Sequence, residues 1–303
     1  MNIVFMGTPD FSIPSLKILF ESKHNISTVV TQPDKQRGRG QKVSFTPVKQ
    51  YAVDNSTSVY QPEKLKGNFE FVEQMKSLQP DLFVVVAFRI LPKEVFDIPK
   101  YGSFNLHGSY LPKYRGAAPI QWALIHGETE TGLTTFKLAE KVDTGNIYLQ
   151  EILPIFPEDN FESLHDRMSE LGAQMVLDTV NLIESGSYNL KPQDDSLASP
   201  APKITKEICL IDWNKPALEI HNLVRGLSPH PAAYFLYKEK VMKIYKTEIV
   251  RELNLKPFEF YQTKNELIIG CSKDALRILE IQQEGKRRMT VEEFLRGFSF
   301  SGY

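Results

Sequence analysis

The chain has 303 residues, 42% of them apolar and 24% charged, with a formal net charge of −1. That length is comfortable for two domains, and the balance is that of an ordinary globular protein, which excludes disordered and fibrous classes. The near-zero total hides an asymmetry: from Lys203 onward there are 17 Lys and Arg against 13 Asp and Glu, and before it 19 against 24. A basic end on an acidic body suits a polyanionic partner, and equally suits a chance imbalance on solvated surface. MNIVFMGTPD has neither the basic start nor the apolar core of a secretory leader. The longest apolar run, Leu82 to Phe88, is too short to span a bilayer. Cys209 and Cys271 have no metal-ligand spacing and read as reduced thiols in a cytoplasmic protein. With no CxxC, HExxH or GxxxxGK[ST], neither metal nor nucleotide phosphate has a motif.

Ile3 to Met6 reads as a strand ending in Gly7-Thr8-Pro9-Asp10. A helix carrying Leu16, Ile18, Leu19 and Phe20 follows, then a β-branched strand from Ile26 to Thr31. Strand, helix and strand in this order predict a parallel sheet. A single Gly7 does not make GxGxxG, so the fold is expected to be Rossmann-like without a dinucleotide. Next comes QPDKQRGRGQK, residues 32–42, with no apolar face to bury. It is expected to be a flexible basic loop whose Arg37, Arg39 and Lys42 either meet RNA phosphates or remain in solvent. Helices are expected over 44–54 and 69–78. Between the second of these and the turn at Pro92, Leu82 to Ala87 forms a buried parallel-type strand. Phe88, Arg89 and Ile90 follow at its carboxyl end, where open α/β sheets place ligands.

Ser103 to His107 reads as the strand on which the site is built. Alternation sets Phe104 and Leu106 on one face and Asn105 and His107 on the other, and Gly108 lets the chain turn. A carboxamide and an imidazole at a strand exit suit acyl chemistry: one donates to a developing oxyanion, the other moves a proton. Taken alone, the pair reads more readily as a polar strand end facing water. Ser109-Tyr110-Leu111-Pro112 comes next, then Arg115, placed to meet a carboxylate, a phosphate or solvent. Gly116-Ala117-Ala118 leads to a helix opened by Pro119. Strands over 131–139 and 147–155 flank Val142-Asp143-Thr144-Gly145, and Asp143 beside Asn105 and His107 completes a proton-handling set. A long helix spans 160–185. Lys191 to Lys203 is polar and Pro-rich and reads as an inter-domain linker. A helix over 216–227 and four short strands after it suggest a small barrel. Lys286, Arg287 and Arg288 precede a last helix.

Asn105, His107 and Asp143, with SYLPKYRGAAPIQWAL between them, resemble the formyltetrahydrofolate-dependent formyltransferase family. Matching segments run from FMGTPDF to EGKRRMTVEEFL, and the C-terminal region resembles the branch of that family that acts on charged tRNA. The resemblance implies an α/β chain in two domains. A Rossmann-like, mostly parallel catalytic domain would cover 1–190, a linker 191–206, and an OB-like β-barrel that binds tRNA 207–303. It implies transfer of the formyl group of 10-formyltetrahydrofolate to the α-amino group of initiator methionyl-tRNA, by a monomer without metal or membrane. Asn105 and a protonated His107 would stabilise the oxyanion, and Asp143 would hold His107 and relay the proton. Ser109, Tyr110, Leu111, Pro112, Phe88, Arg89 and Ile90 would border the folate. Arg37, Arg39, Lys42, Lys286, Arg287 and Arg288 would meet tRNA. Two positions depart from the family pattern: Tyr110 replaces a Leu, and Phe88-Arg89 stands where Tyr-Gly is more usual. A formyltransferase of small amines and a non-catalytic RNA-binding protein remain as rivals.

Overall fold

The computed structural model describes residues 1–37 and 42–300, so Arg39 lies outside the described residues. The chain divides into two compact units. The first comprises Met1–Gly116, Gly132–Leu153 and His165–Pro200; the second comprises Ala117–Thr131, Pro154–Leu164 and Ala201–Tyr303. The division is not a single break in sequence. Lys191 to Pro200, expected as linker, belongs to the first unit, and two earlier segments belong to the second.

The first unit is organised by a seven-stranded sheet. Its spatial order is Ile147–Pro154, Glu130–Lys137, Ser103–His107, Leu82–Val86, Asn2–Gly7, Asn25–Val30 and Val59–Tyr60. The five strands from Ser103–His107 to Val59–Tyr60 pair in parallel, and Glu130–Lys137 joins antiparallel. The buried strands are near-continuous apolar runs, LFVVV being enclosed along its whole length, as expected where both faces of a parallel sheet are covered. Val4, Met6, Phe83 and Val85 meet Phe71, Met75, Val95 and Phe96 from the helices Phe69–Ser77 and Lys93–Phe96 in one apolar cluster. Helix Pro47–Asp54 starts as its sequence requires. Thr46 caps it by accepting from the Lys49 amide, and Pro47 occupies the first turn, where a missing N–H costs nothing.

The segment expected as a flexible loop has paired arms. Lys35–Arg37 and Lys42–Ser44 form an antiparallel ladder with Arg37 opposite Lys42. Charge and glycine content hid a hairpin whose ladder is made by the backbone, which needs no apolar face.

The second unit holds the expected antiparallel sheet. Strands Ala233–Tyr237, Lys240–Val250, Ala275–Gln283, Leu267–Gly270 and Phe260–Gln262 lie in that order, and Met289–Thr290 pairs with Ala275–Gln283. Lys240–Val250 is long enough to pair first with Ala233–Tyr237 and then with Ala275–Gln283, and its register shifts near Lys246, where extra residues let a strand bend. Trp213, Phe235, Tyr237 and Phe300 fill the core of this unit with the buried Cys209 and Cys271. Burial pushes the Cys271 thiol up to about 12, with Asp274 adding to the effect, so it stays protonated and unreactive.

Candidate active site

The site grows from the carboxyl end of the strand Ser103–His107. In the ladder Asn105 lies opposite Val85 on one side and Phe136 on the other, and His107 lies opposite Thr134. Phe104 and Leu106 are buried, as alternation requires, and Asn105 is half-buried on the opposite face. His107 is itself buried. Its Nε2 lies 2.9 Å from the carbonyl oxygen of Tyr114. A carbonyl only accepts, so Nε2 carries the proton, and the ring presents Nδ1 elsewhere. Nδ1 faces the Asp143 carboxylate, 3.8 Å from Oδ2.

Asp143 is positioned by a constrained turn between two strands. Its φ of 55° lies in the left-handed region, which Asp tolerates better than most residues because its short side chain bonds locally. Oδ2 accepts from the Gly116 amide at 2.8 Å. Gly145 allows the turn to close onto the preceding strand, since a Cβ there would stand 1.6 Å from the Lys137 carbonyl oxygen. His107 and Asp143 are therefore both held by one short segment, Tyr114 to Gly116: the imidazole by its first carbonyl, the carboxylate by its last amide. Tyr114 also has a positive φ, 60°.

Ser109 to Pro112 curls back over the neighbouring strand. The Thr134 hydroxyl donates to the Ser109 carbonyl at 2.8 Å and accepts from the Leu111 amide at 3.1 Å, and Gln150 donates to the Leu111 carbonyl. Because Thr134 is the ladder partner of His107, this pins the loop at the level of the imidazole. Leu111 is buried, Ser109 donates inward to the Lys113 carbonyl, and Tyr110 is exposed. Phe88 to Ile90 follows the adjacent strand at the same sheet edge, since Val86 pairs with Leu106. Arg89 is occupied: its guanidinium donates to the Pro62 and Glu63 carbonyls at 2.6 and 2.9 Å. Ile90 is 73% exposed. Among the described residues, no group of three His, Cys, Asp or Glu side chains could hold a metal ion.

Not every residue singled out from the sequence gathers here. Arg37 and Lys42 sit on the hairpin. In the second unit, Arg287 reaches Glu293 at 3.4 Å, and Arg288 pairs with Glu280 at 2.5 Å while covering the Tyr245 ring. Much of the charge of the Lys286–Arg288 run is thus balanced within its own unit. Sequence reasoning missed the segment from Gln193 to Ser199. Gln193 donates to the Asp143 and Gly145 carbonyls, and Ser199 accepts from the Tyr114 amide. The polar, Pro-rich composition of Lys191 to Lys203, in which it lies, signals a linker and gives no hint of these bonds.

The family model described as formyl transferase matches residues 1–180, and that of the formyl transferase C-terminal domain matches residues 203–299. This chain belongs to the formyltransferase family. Over 98% of its length it is 49% identical to a methionyl-tRNA formyltransferase of Caldanaerobacter subterraneus subsp. tengcongensis, covering 97% of that protein. It is 47% identical to the corresponding protein of Thermodesulfovibrio yellowstonii, covering 98% of this chain and 96% of that one. Among solved structures, an N-formyltransferase from Helicobacter canadensis in complex with folinic acid and dTDP-3-aminofucose superposes with a TM-score of 0.68 at 23% identity. That match covers 91% of this chain and 98% of that one, and it shows a shared formyltransferase fold. Asn105, His107 and Asp143 all lie within the residues matched by the first family model, and Gln193 to Ser199 lie beyond them.

Proposed function

We infer that this formyltransferase transfers the formyl group of 10-formyltetrahydrofolate to the α-amino group of initiator methionyl-tRNA, giving N-formylmethionyl-tRNA. The observation that carries the chemistry is the buried His107, two residues along the strand from the Asn105 carboxamide, with the half-buried Asp143 carboxylate 3.8 Å from its Nδ1. The acceptor is carried by full-length likeness to two proteins named methionyl-tRNA formyltransferase. The folate also fits the residues present. A flat ring system with a polar reacting end suits the carboxyl ends of the two adjacent strands, after which Ile90 and Tyr110 are exposed and Leu111 is buried, with Asn105 and His107 on the second strand.

When bound, 10-formyltetrahydrofolate supplies a formyl group activated for attack by an amine. The α-amino group attacks unprotonated, and with an ordinary pKa of roughly 7.7–8.0 its neutral form is accessible near pH 7. Asn105 donates an amide N–H to the formyl oxygen as negative charge gathers there. His107 commits Nε2–H to the Tyr114 carbonyl, so Nδ1 is the nitrogen that exchanges a proton. Asp143 faces that nitrogen at 3.8 Å. In this reading His107 and Asp143 accept the proton leaving the amine and return one to the departing nitrogen, while oxyanion stabilisation falls chiefly to Asn105. Arg89, tied to two carbonyls, orders the Phe88–Ile90 loop. Ser109 to Pro112 forms the opposite border. Arg37, Arg39, Lys42, Lys286, Arg287 and Arg288 contact tRNA phosphates. The enzyme acts as a cytoplasmic monomer.

The test is formyl transfer to charged initiator methionyl-tRNA, measured beside uncharged tRNA and charged elongator methionyl-tRNA. Product with the charged initiator alone is expected. No product from protein that still binds the folate would overturn the tRNA acceptor and direct attention to small amines.

A further inference from the structure

The segment Gln193 to Ser199 makes a set of hydrogen bonds that no linker requires. The Gln193 carboxamide sits between two elements of the site. Its Nε2 donates to the Asp143 carbonyl at 2.9 Å and to the Gly145 carbonyl at 2.8 Å. Its Oε1 accepts from Arg115 Nε at 3.1 Å and Nη2 at 2.7 Å. Amide orientation follows from chemistry here, because a guanidinium only donates and a carbonyl only accepts. Nη2 of Arg115 also reaches Asp195 at 2.7 Å. A few residues on, Ser199 Oγ accepts from the Tyr114 amide at 2.9 Å, and the Ser199 carbonyl accepts from the Arg115 amide at 2.8 Å.

These bonds fall on two positions with an unfavourable backbone. Tyr114 and Asp143 are both non-glycine residues at positive φ, 60° and 55°. Such conformations persist only where the surroundings over-determine them, and they concentrate where a geometry matters. The Tyr114 carbonyl fixes the His107 tautomer, and the Gly116 amide fixes the Asp143 carboxylate. Gln193 holds the Asp143 turn from its carbonyl side and, through Arg115, holds the strand segment that carries both anchors. Gln193 itself is half-buried at the surface and belongs to the same compact unit as the pair it braces.

We propose that Gln193 is a positioning residue for formyl transfer: it clamps the Asp143–Gly145 turn to Arg115 and so sets the approach of the Asp143 carboxylate to His107. The proposal rests on the transfer reading above. A small misplacement of a reacting group costs far more in the chemical step than in binding, so the loss belongs in kcat.

Two substitutions separate this from a simple surface anchor. Gln193→Met keeps length and volume and removes every hydrogen bond. Gln193→Glu keeps an acceptor for Arg115 and strengthens that pairing, but sets a carboxylate oxygen against two carbonyls. Both are measured in the full chain with charged initiator methionyl-tRNA, per molecule of folate-binding protein. Both are expected to lower kcat by about 10- to 100-fold, with KM for folate and tRNA nearly unchanged. Wild-type kcat in either variant would overturn the proposal, as would a loss confined to KM. Hydrogen exchange of the Gly116 amide, the donor to Asp143, reads the clamp without turnover. Exchange about tenfold faster or more in Gln193→Met is expected, and unchanged exchange overturns the proposal. A wild-type protein that transfers no formyl group would instead refute the function, leaving the exchange result to decide the clamp.

Discussion

Replacing Asp143 by Asn tests the centre of the mechanism with the least structural damage. The carboxylate has two roles, accepting from the Gly116 amide at 2.8 Å and facing His107 Nδ1 at 3.8 Å. An Asn side chain keeps an oxygen for Gly116 and tolerates the left-handed backbone, so the turn should survive. What it loses is the charge. At this separation an imidazolium and a carboxylate attract by about 4 kcal/mol at an effective dielectric near 20. Since about 1.4 kcal/mol is a factor of ten in rate, losing that attraction for a protonated His107 in the transition state is worth up to about 10³ in kcat. That value sits inside the ~10²–10⁴ usual for a positioned acid or base. Asp143→Ala loses the Gly116 bond as well and places a residue without a bonding side chain at positive φ, so it should be less active and also less stable. Single-turnover formylation at saturating folate, beside thermal melting, separates the two losses. Asp143→Asn turning over within a factor of a few of wild type, with unchanged melting, would refute the role of the charge.

Asn105→Ala removes the oxyanion donor and should lower kcat by about 10²–10³. Asn105 is only half-buried, so little loss in melting temperature is expected, and a normal rate would remove it from the mechanism. Arg37→Ala combined with Arg39→Ala should weaken tRNA binding and flatten its dependence on salt, by about one unit of slope for each phosphate left without its arginine. Folate binding should not change, and an unaltered salt slope would make the hairpin a spectator. His221 supplies a pH test of the second unit. It is bonded to the Thr247 hydroxyl at 2.9 Å, and burial, aided by Arg225, pushes its imidazole below the ordinary value. The unfolded chain then binds a proton that the folded unit refuses, so stability should fall as pH drops below about 6.5. His221→Gln should flatten that acid limb in a melting series, and an identical limb in the variant would discount this histidine.

Much of the site was legible because its residues obey strong local rules. Asn105 and His107 are two apart on a strand whose other face is Phe104 and Leu106, and period-2 alternation alone separates the two sets. The parallel sheet followed from strands alternating with helices, and Asp143 from a Gly-containing turn between two strands. What stayed hidden was hydrogen bonding, which leaves little trace in hydropathy. The ladder between Lys35–Arg37 and Lys42–Ser44 is made by the backbone, and its one apolar residue, Val43, is too little to mark it. The tautomer of His107 depends on the Tyr114 carbonyl, a group present in every residue and therefore invisible to any motif. Ion pairing is hidden in the same way: Arg287 and Arg288 read as a basic run, and Glu293 and Glu280, six and eight residues away along the chain, meet them.

The segment from Gln193 to Ser199 shows why composition misjudged its role. Polar and Pro-rich stretches read as linkers because they cannot bury enough apolar area to offset their ordering. That reasoning counts area and omits hydrogen bonds. The carbonyls of Asp143 and Gly145 and the guanidinium of Arg115 all lie within reach of Gln193, so one side chain of ordinary polarity makes four hydrogen bonds. Each is worth on the order of 1 kcal/mol net, and those to the charged Arg115 more. The sum is comparable to the ordering cost of the two or three residues concerned, at about 1–2 kcal/mol each. A segment balanced in this way holds the turn beside His107 without a hydrophobic core of its own, and its hold should loosen when any one of the four bonds is removed.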